Sequence, residues 1–556
     1  MSSPAIPPRN TNPSGLQSLA RLSDNAWTRI ILAIAFLALL PIVNYDFVWD
    51  DVGLVLLNPW MTGWHDAGKL ISHHMWASAG GAVYHPANYY RPVFMLWLLA
   101  LSQLTGKIPA FFHLANILLH LVAVLLVIAI TRNVTRDRAI ALLAGGLFAL
   151  HPVHVQPIAW IAGATELLCA VFVLASILTY QCSESAESHR KAWFAASVLL
   201  FAAGLFSKET AIVLPCVLAA YAWTITGQPL TAKLRRIALR MTPFLLVTAV
   251  YLALRVRILG NISETHVASR SSALLQLPLS FGWYVRQLFW PFHMSGSYKP
   301  IPVGMPLWIP LCGLLMLCAA GGAVVWKTHH SPTWVLFGTL SLFSLSPVLI
   351  EAFTGFQDRY LYLPSVGFCV LIAWAITRIS PARVAVALVT ALAVVCVITL
   401  VREERVWASD ASLFKRFVEV NPSPANVVRL TTVYGHREDH RRQLQLLEDA
   451  LRKEPDSAEL LSEIGYYYYY QKQLDAAAGY FRRALPLEPD ASSRGATECA
   501  LGMVDYDRGD LVTAEKELRV GLETDKTFTS CRGTLVTILH RTGRDAEAGK
   551  EQAKMP

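Results

Sequence analysis

One feature limits the fold before any motif is read. From residue 30 to residue 401 the chain is a succession of apolar runs broken by short basic loops. In lipid every backbone polar group must be satisfied within its own element, so such runs form helices. A helix needs about 20 apolar residues to cross. The runs 30–45, 110–131, 139–151, 164–181, 192–206, 210–226, 241–256, 305–326, 333–350, 360–377 and 384–401 predict eleven spans. The 556 residues are 54% hydrophobic and only 16% charged, against about 25% charged in soluble domains. The sequence reads as an all-α, polytopic membrane protein.

Charge sets the expected orientation. Arg21 and Arg29 precede the first run and place residues 1–29 in the cytoplasm. They also lack the pattern of a cleavable signal peptide. The loops that then fall inside hold Arg132, Arg136 and Arg138; Arg190 and Lys191; Lys233, Arg235, Arg236 and Arg240; Lys327; and Arg378 and Arg383. This bias accounts for the formal charge of +9 without nucleic acid. The first outside loop, about 46–110, carries an apolar segment 92–105 behind Tyr89-Tyr90-Arg91-Pro92, read as an interfacial helix starting at the proline. Region 257–304 is a second outside stretch, with a sequon at Asn261-Ile262-Ser263. An odd number of spans leaves the C-terminal part outside as well. Nine scattered cysteines with no CxxC indicate neither a zinc site nor a disulfide framework.

Past residue 401 the composition turns charged and helical. Residues 402–423 read as a linker and 424–556 as a repeat domain. Ile464-Gly465, Tyr468, Ala477, Phe481, Ala484 and Pro489 fit the tetratricopeptide (TPR) pattern. Tyr434, Leu447, Ala450 and Pro455 form the preceding unit, its proline 34 residues earlier, and Leu501-Gly502, Ala514 and Leu518 a weaker third. Stacked helix pairs of this kind build an α-α solenoid. The run Tyr466–Tyr470 with Phe481 suits a peptide-binding surface, with Tyr466, Tyr468 and Phe481 as its candidate contacts.

Polar residues gather at the outside ends of the apolar runs. Asp50 and Asp51 follow the first run; His151-Pro-Val-His154, Glu166, Ser207-Lys208-Glu209 and Gln357-Asp-Arg359-Tyr360 occupy later turns on the same side. Taken singly, each turn reads as a satisfied helix cap, and the aspartate pair as a solvated acidic end. Charges of both signs converging on one membrane face suggest a site, because each is expensive alone. His151 and His154 are spaced for metal, but Pro152 between them and the lack of a third ligand favour a structural role.

At these residues the chain resembles the transmembrane and TPR-repeat-containing O-mannosyltransferases. The likeness is carried in order by Tyr89-Tyr-Arg-Pro92, His113-Leu-Ala-Asn-Ile-Leu-Leu-His120, Phe148-Ala-Leu-His-Pro-Val-His154, Glu166-Leu-Leu168, Ser207-Lys-Glu209, Arg359-Tyr-Leu-Tyr-Leu-Pro-Ser-Val-Gly367 and the repeat tail. Two positions depart from that pattern: Ala164-Thr165 stands where the family has Gly-Arg, and Gln156 where it has an acid. The resemblance implies a GT-C membrane domain over 30–401, a polyprenyl-phosphate sugar donor and an acidic residue in the first outside loop. Asp51 or Asp50 then matches the base that takes the acceptor proton. Arg91, Lys208 and Arg359 become the cations for the donor phosphate, and His151, His154, Glu166, Glu209 and Tyr360 support them. The leaving phosphate is already anionic, so no metal or cofactor is implied. The expected function is inverting transfer of a sugar to a protein hydroxyl on the outside face, the repeats engaging the acceptor. A bacterial inner membrane is favoured over the endoplasmic reticulum, with the repeats in the periplasm or lumen. Transfer to a lipid or glycan, or a scaffold without chemistry, are the alternatives.

Overall fold

The structure, a computed structural model, describes residues 24–79, 89–225, 229–260, 270–298, 331–351, 356–379, 381–436, 438–524 and 528–555, and no side chains in 270–279 or 346–351. The expected span 305–326, the sequon at Asn261 and most of the N-terminal segment lie outside them. The chain divides into two compact units, Met1–Met75 with Asn88–Ser409 and Trp76–Ala87 with Asp410–Pro556.

Among its described residues the first unit is built of helices joined by turns and short extended stretches. Its main helices are α1 (Asp24–Leu39), α2 (Pro92–Thr105), α3 (Pro109–Thr135), α4 (Arg138–Leu150), α5 (Ala164–Ser185), α6 (Arg190–Ser207), α7 (Leu214–Ile225), α8 (Leu230–Leu259), α9 (Arg270–Phe289), α10 (Pro332–Glu351), α11 (Ser365–Ile376) and α12 (Ala382–Glu404). Sequence punctuation sets their starts. Pro92 and Pro109 open α2 and α3 at positions whose N–H groups would be unpaired in any case. Asp137 caps α4 by accepting the Ala139 and Ile140 N–H groups.

Among the described residues six helical stretches are long and apolar enough to cross a membrane, or seven if α4 and the turn after it, bent by 52°, form one broken span. Six of the expected runs fall on these six stretches, and 139–151 on the bent pair. Runs 210–226, 333–350 and 360–377 form shorter apolar helices, and the helix expected at 92–105 begins at Pro92. The packing has a lipid-soluble exterior. Leu239, Leu245, Leu246 and Val250 of α8 and Val384, Leu388, Val394, Val395 and Ile398 of α12 are exposed, an arrangement stable only where the solvent is hydrocarbon. α5 is enclosed instead, packing against α3 and α6, and most of the polar turns lie around its N-terminal end.

The second unit starts earlier than the expected repeat boundary, because the presumed linker holds α13 (Asp410–Val420). Four helix pairs follow: α14 (Pro424–His436) with α15 (His440–Lys453), α16 (Ala458–Tyr470) with α17 (Leu474–Ala484), α18 (Ala491–Arg508) with α19 (Leu511–Thr524), and α20 (Thr529–Arg541) with α21 (Asp545–Gln552). The last pair carries too few pattern residues to be legible in the sequence. Phe481 was expected on a binding surface. It is fully enclosed, because Gly465 leaves a slot in which any Cβ would meet the ring at 2.7 Å. Tyr466 packs edge-on against Phe481 at 5.0 Å, Tyr468 stacks on Tyr480 at 5.5 Å, and Tyr470 stands 75% exposed. One cysteine expectation is corrected here: Cys499 of α18 and Cys531 of α20 form a disulfide across 32 residues. Helix stacking brings the two together, which spacing alone does not reveal.

Candidate active site

The two adjacent aspartates have different surroundings. Trp49 before them takes a left-handed backbone, φ 54°, a conformation that costs a residue with a side chain about 1–2 kcal/mol. The bend turns Asp51 inward, where it is fully buried and accepts the Val48 N–H at 3.2 Å and the Ala162 N–H at 2.8 Å. Burial holds its carboxyl well above the usual range, against those two hydrogen bonds, which pull the other way. Asp51 thus staples the first outside loop to the turn that opens α5. That turn is built to be narrow: a Cβ on Gly163 would meet the Pro157 backbone at 2.7 Å. From α3, Asn116 donates to the Ile158 and Trp160 carbonyls. Trp49 stacks on Trp160 at 5.1 Å. Asp50 remains half-buried, and its charge acts on Arg359.

Three cations and two further carboxylates lie around that point. Arg91, just before α2, donates through two nitrogens to both oxygens of Glu209, the Nε bond being 3.0 Å. Its guanidinium also covers the Tyr89 ring at 4.1 Å. Lys208 is buried and paired with Glu166 at the start of α5. The Lys208 ammonium lies 4.7 Å from the Tyr360 ring centre. Arg359 lies 5.0 Å over Trp160 and 5.1 Å over Tyr360, with Nε 3.8 Å from the Glu166 oxygen that Lys208 binds. With Asp50 the cluster counts three formal positive and three formal negative charges. Such a balance tolerates burial, and an arriving anion can compete for the cations.

The histidines form a different structure. His151 accepts the Val153 N–H on Nδ1 and donates through Nε2 to the Leu288 carbonyl. His120 donates to the Ala149 carbonyl and accepts from the Tyr362 hydroxyl at 2.7 Å. His154 joins the Phe148 carbonyl to Ser365. Each ring has both nitrogens engaged within the fold. Among the described residues no group of three or more His, Cys, Asp or Glu is arranged to hold a metal ion.

No protein-family model matches the chain. Human "Protein O-mannosyl-transferase TMTC4" is 25% identical over 470 residues, 72% of this chain and 63% of that protein. Fruit-fly "Protein O-mannosyl-transferase Tmtc1" is 31% identical over 184 residues, 32% of this chain and 21% of that protein. The chain is similar to protein O-mannosyl-transferases. It spans a little under two thirds of the length of the human relative. Looser likenesses join it to solved structures. An Archaeoglobus fulgidus oligosaccharyltransferase matches at TM-score 0.39 and 14% identity, over 69% of this chain and 55% of that one. ArnT from Cupriavidus metallidurans, bound to undecaprenyl phosphate, matches at 0.39 and 14%, over 86% and 80%.

Of the expected site residues, Asp50, Arg91, Glu166, Lys208, Glu209, Arg359 and Tyr360 come together. Asp51 lies beneath them as a backbone staple, and His151 and His154 belong to the separate histidine structure. Tyr89, Trp160, Gln156 and Gln357 also touch the cluster and are not among the expected site residues, Gln156 being marked only as a departure from the family pattern. Tyr89 and Gln357 stood inside the stretches already read, but an aromatic or an amide carries no charge signal. Next to Arg359, Asp358 turns away and is buried. It accepts from Gln287 at 2.8 Å, Ser295 at 3.2 Å and the Tyr298 hydroxyl. Burial raises its carboxyl to about 6, although those three donors favour the charged form.

Proposed function

We propose that this chain is a GT-C glycosyltransferase that moves a sugar, mannose by its relatives' names, from a polyprenyl-phosphate donor to a protein hydroxyl. One observation carries the reading: four turns distant in sequence bring Asp50, Arg91, Lys208 and Arg359 into one charge-balanced cluster. The acceptor oxygen attacks the anomeric carbon while Asp50 takes its proton. The bond from that carbon to the phosphate oxygen breaks with inversion, and the leaving polyprenyl phosphate takes the electron pair. Arg359 and Lys208 hold the growing negative charge. Asp50 fits the base better than Asp51, whose two oxygens are occupied by backbone N–H groups.

The outside face, periplasmic or lumenal, is the proposed location of both the site and the tail. The basic inside loops support it, as does the Cys499–Cys531 disulfide, a bond that persists in oxidising compartments. The repeats are proposed to select the protein acceptor, using the partly exposed Tyr466 and Tyr468 together with Tyr470.

The test uses the full chain in nanodiscs with polyprenyl-phosphate mannose and Ser/Thr peptides. Wild type should release polyprenyl phosphate and add a hexose to peptide by mass spectrometry. Asp50→Asn should lower the rate by about 10²–10⁴ with its melting temperature kept. Wild-type turnover in Asp50→Asn would remove the base assignment. Release of polyprenyl phosphate with the hexose on a lipid or glycan would replace the acceptor class.

A further inference from the structure

Arg359 differs from the other two cations in what holds it. Arg91 spends its guanidinium on Glu209, and Lys208 its ammonium on Glu166. Arg359 has a Glu166 carboxylate oxygen at 3.8 Å, which Lys208 already binds, and also feels the charge of Asp50. Its shorter polar contacts are to amides. Gln156 Oε1 accepts the Arg359 backbone N–H at 3.0 Å, and Gln156 Nε2 donates to Gln357 Oε1 at 2.9 Å. The same Gln357 oxygen accepts from Arg359 Nη1 at 3.0 Å, while Gln357 Nε2 donates to the Gly296 carbonyl at 2.6 Å.

The partners fix both amide orientations. Flipping Gln357 would turn its NH₂ toward two donors, and flipping Gln156 would turn its NH₂ toward the Arg359 N–H. The turn is pinned behind as well, since Asp358 is tied to Ser295 and Tyr298 of the loop that supplies Gly296. Arg359 is therefore held at two points, by its backbone and by its head. Neither point carries a charge. An amide oxygen directs a guanidinium without neutralising it, so the charge is offset only by the longer-range carboxylates of Glu166 and Asp50, with which an anion can compete.

We infer that Gln156 and Gln357 are positioning residues that aim Arg359 at the phosphate of the lipid donor. This rests on the proposed reading of the site. The distinctive consequence is electrostatic: a carboxylate at 357 would still accept from Arg359, although it loses the bond to the Gly296 carbonyl, and its charge would weaken phosphate binding.

Equilibrium binding to the full chain in nanodiscs tests it, with a polyprenyl monophosphate as probe and the uncharged polyprenol as control. Gln357→Glu should raise the dissociation constant for the monophosphate about tenfold or more, the scale of one charge-assisted contact. Gln357→Met, which frees the head but keeps its charge, should raise it about threefold. Polyprenol binding should not move in either variant, whereas a purely structural role would shift both lipids and the melting temperature together. An unchanged monophosphate affinity in Gln357→Glu, or equal losses in the two variants, would overturn the inference. If Gln357→Glu does not fold, Gln156→Met carries the test through the backbone anchor. A selective loss of monophosphate binding supports the inference, and unchanged affinity overturns it. Arg359→Ala separates the levels. Weakened monophosphate binding there with none in Gln357→Glu removes only the positioning claim; no weakening in Arg359→Ala removes the site reading itself.

Discussion

The charged cluster and the histidine structure are two buried polar groups in one unit, joined by the segment in which Tyr360 faces Lys208 and Tyr362 faces His120. They solve burial in opposite ways. The histidines close on themselves: carbonyls, a backbone N–H and two hydroxyls engage every ring nitrogen of His120, His151 and His154. The cluster keeps formal charges, and Arg359 and Glu209 each retain 17% side-chain exposure. A closed hydrogen-bond network adds rigidity and offers nothing to a ligand. A balanced ionic cluster can exchange one partner for an incoming anion, which suits a binding site.

The contrast breaks most visibly at Lys208. Lys208→Met leaves buried Glu166 with only the 3.8 Å contact to Arg359, and loss of about 3 kcal/mol is expected in a detergent-unfolding assay. Adding Glu166→Gln should recover most of that stability without recovering sugar transfer. Recovery of both would make the pair structural, like the histidines. His154→Ala is next, at about 1–3 kcal/mol from the stranded Phe148 carbonyl, while the Ser365 hydroxyl keeps the Tyr362 carbonyl as its partner. Turnover per folded molecule should stay within about twofold; a larger fall would move His154 into the chemistry. Asp51→Asn should cost about 1–2 kcal/mol, because its amide can accept one backbone N–H but sets an NH₂ against the other. Transfer should persist there, in contrast with Asp50→Asn.

The smallest effect is in pH. The Asp358 carboxyl, raised to about 6 by burial, holds its proton longer in the folded than in the unfolded chain. Its contribution to stability is therefore full below about pH 4 and lost as pH rises through about 6. Melting temperatures measured from pH 4 to 7 should fall less steeply in Asp358→Asn than in wild type. Equal slopes would mean that Asp358 does not titrate in this range.

Hydropathy determines much of this protein by itself. Lipid leaves a chain with these runs no choice but helices, and the period-34 proline spacing marks the repeats because each helix pair must stack on the next. Ordered polar turns pointed to Asp50, Lys208 and Arg359 without coordinates, since a charge at a membrane edge needs a reason, and the family resemblance added Arg91. Tertiary structure alone decided what a local pattern cannot hold. Asp50 and Asp51 are chemically identical neighbours, and only the left-handed bend at Trp49 sends one to the backbone and leaves the other toward Arg359. Gln156 and Gln357 are 201 residues apart and meet because the turns after α4 and before α11 fold against each other. Cys499 and Cys531 find one another by stacking of α18 and α20. Partner choice depends on which surfaces the packed helices bring into reach, and the order of residues along the chain does not encode that distance.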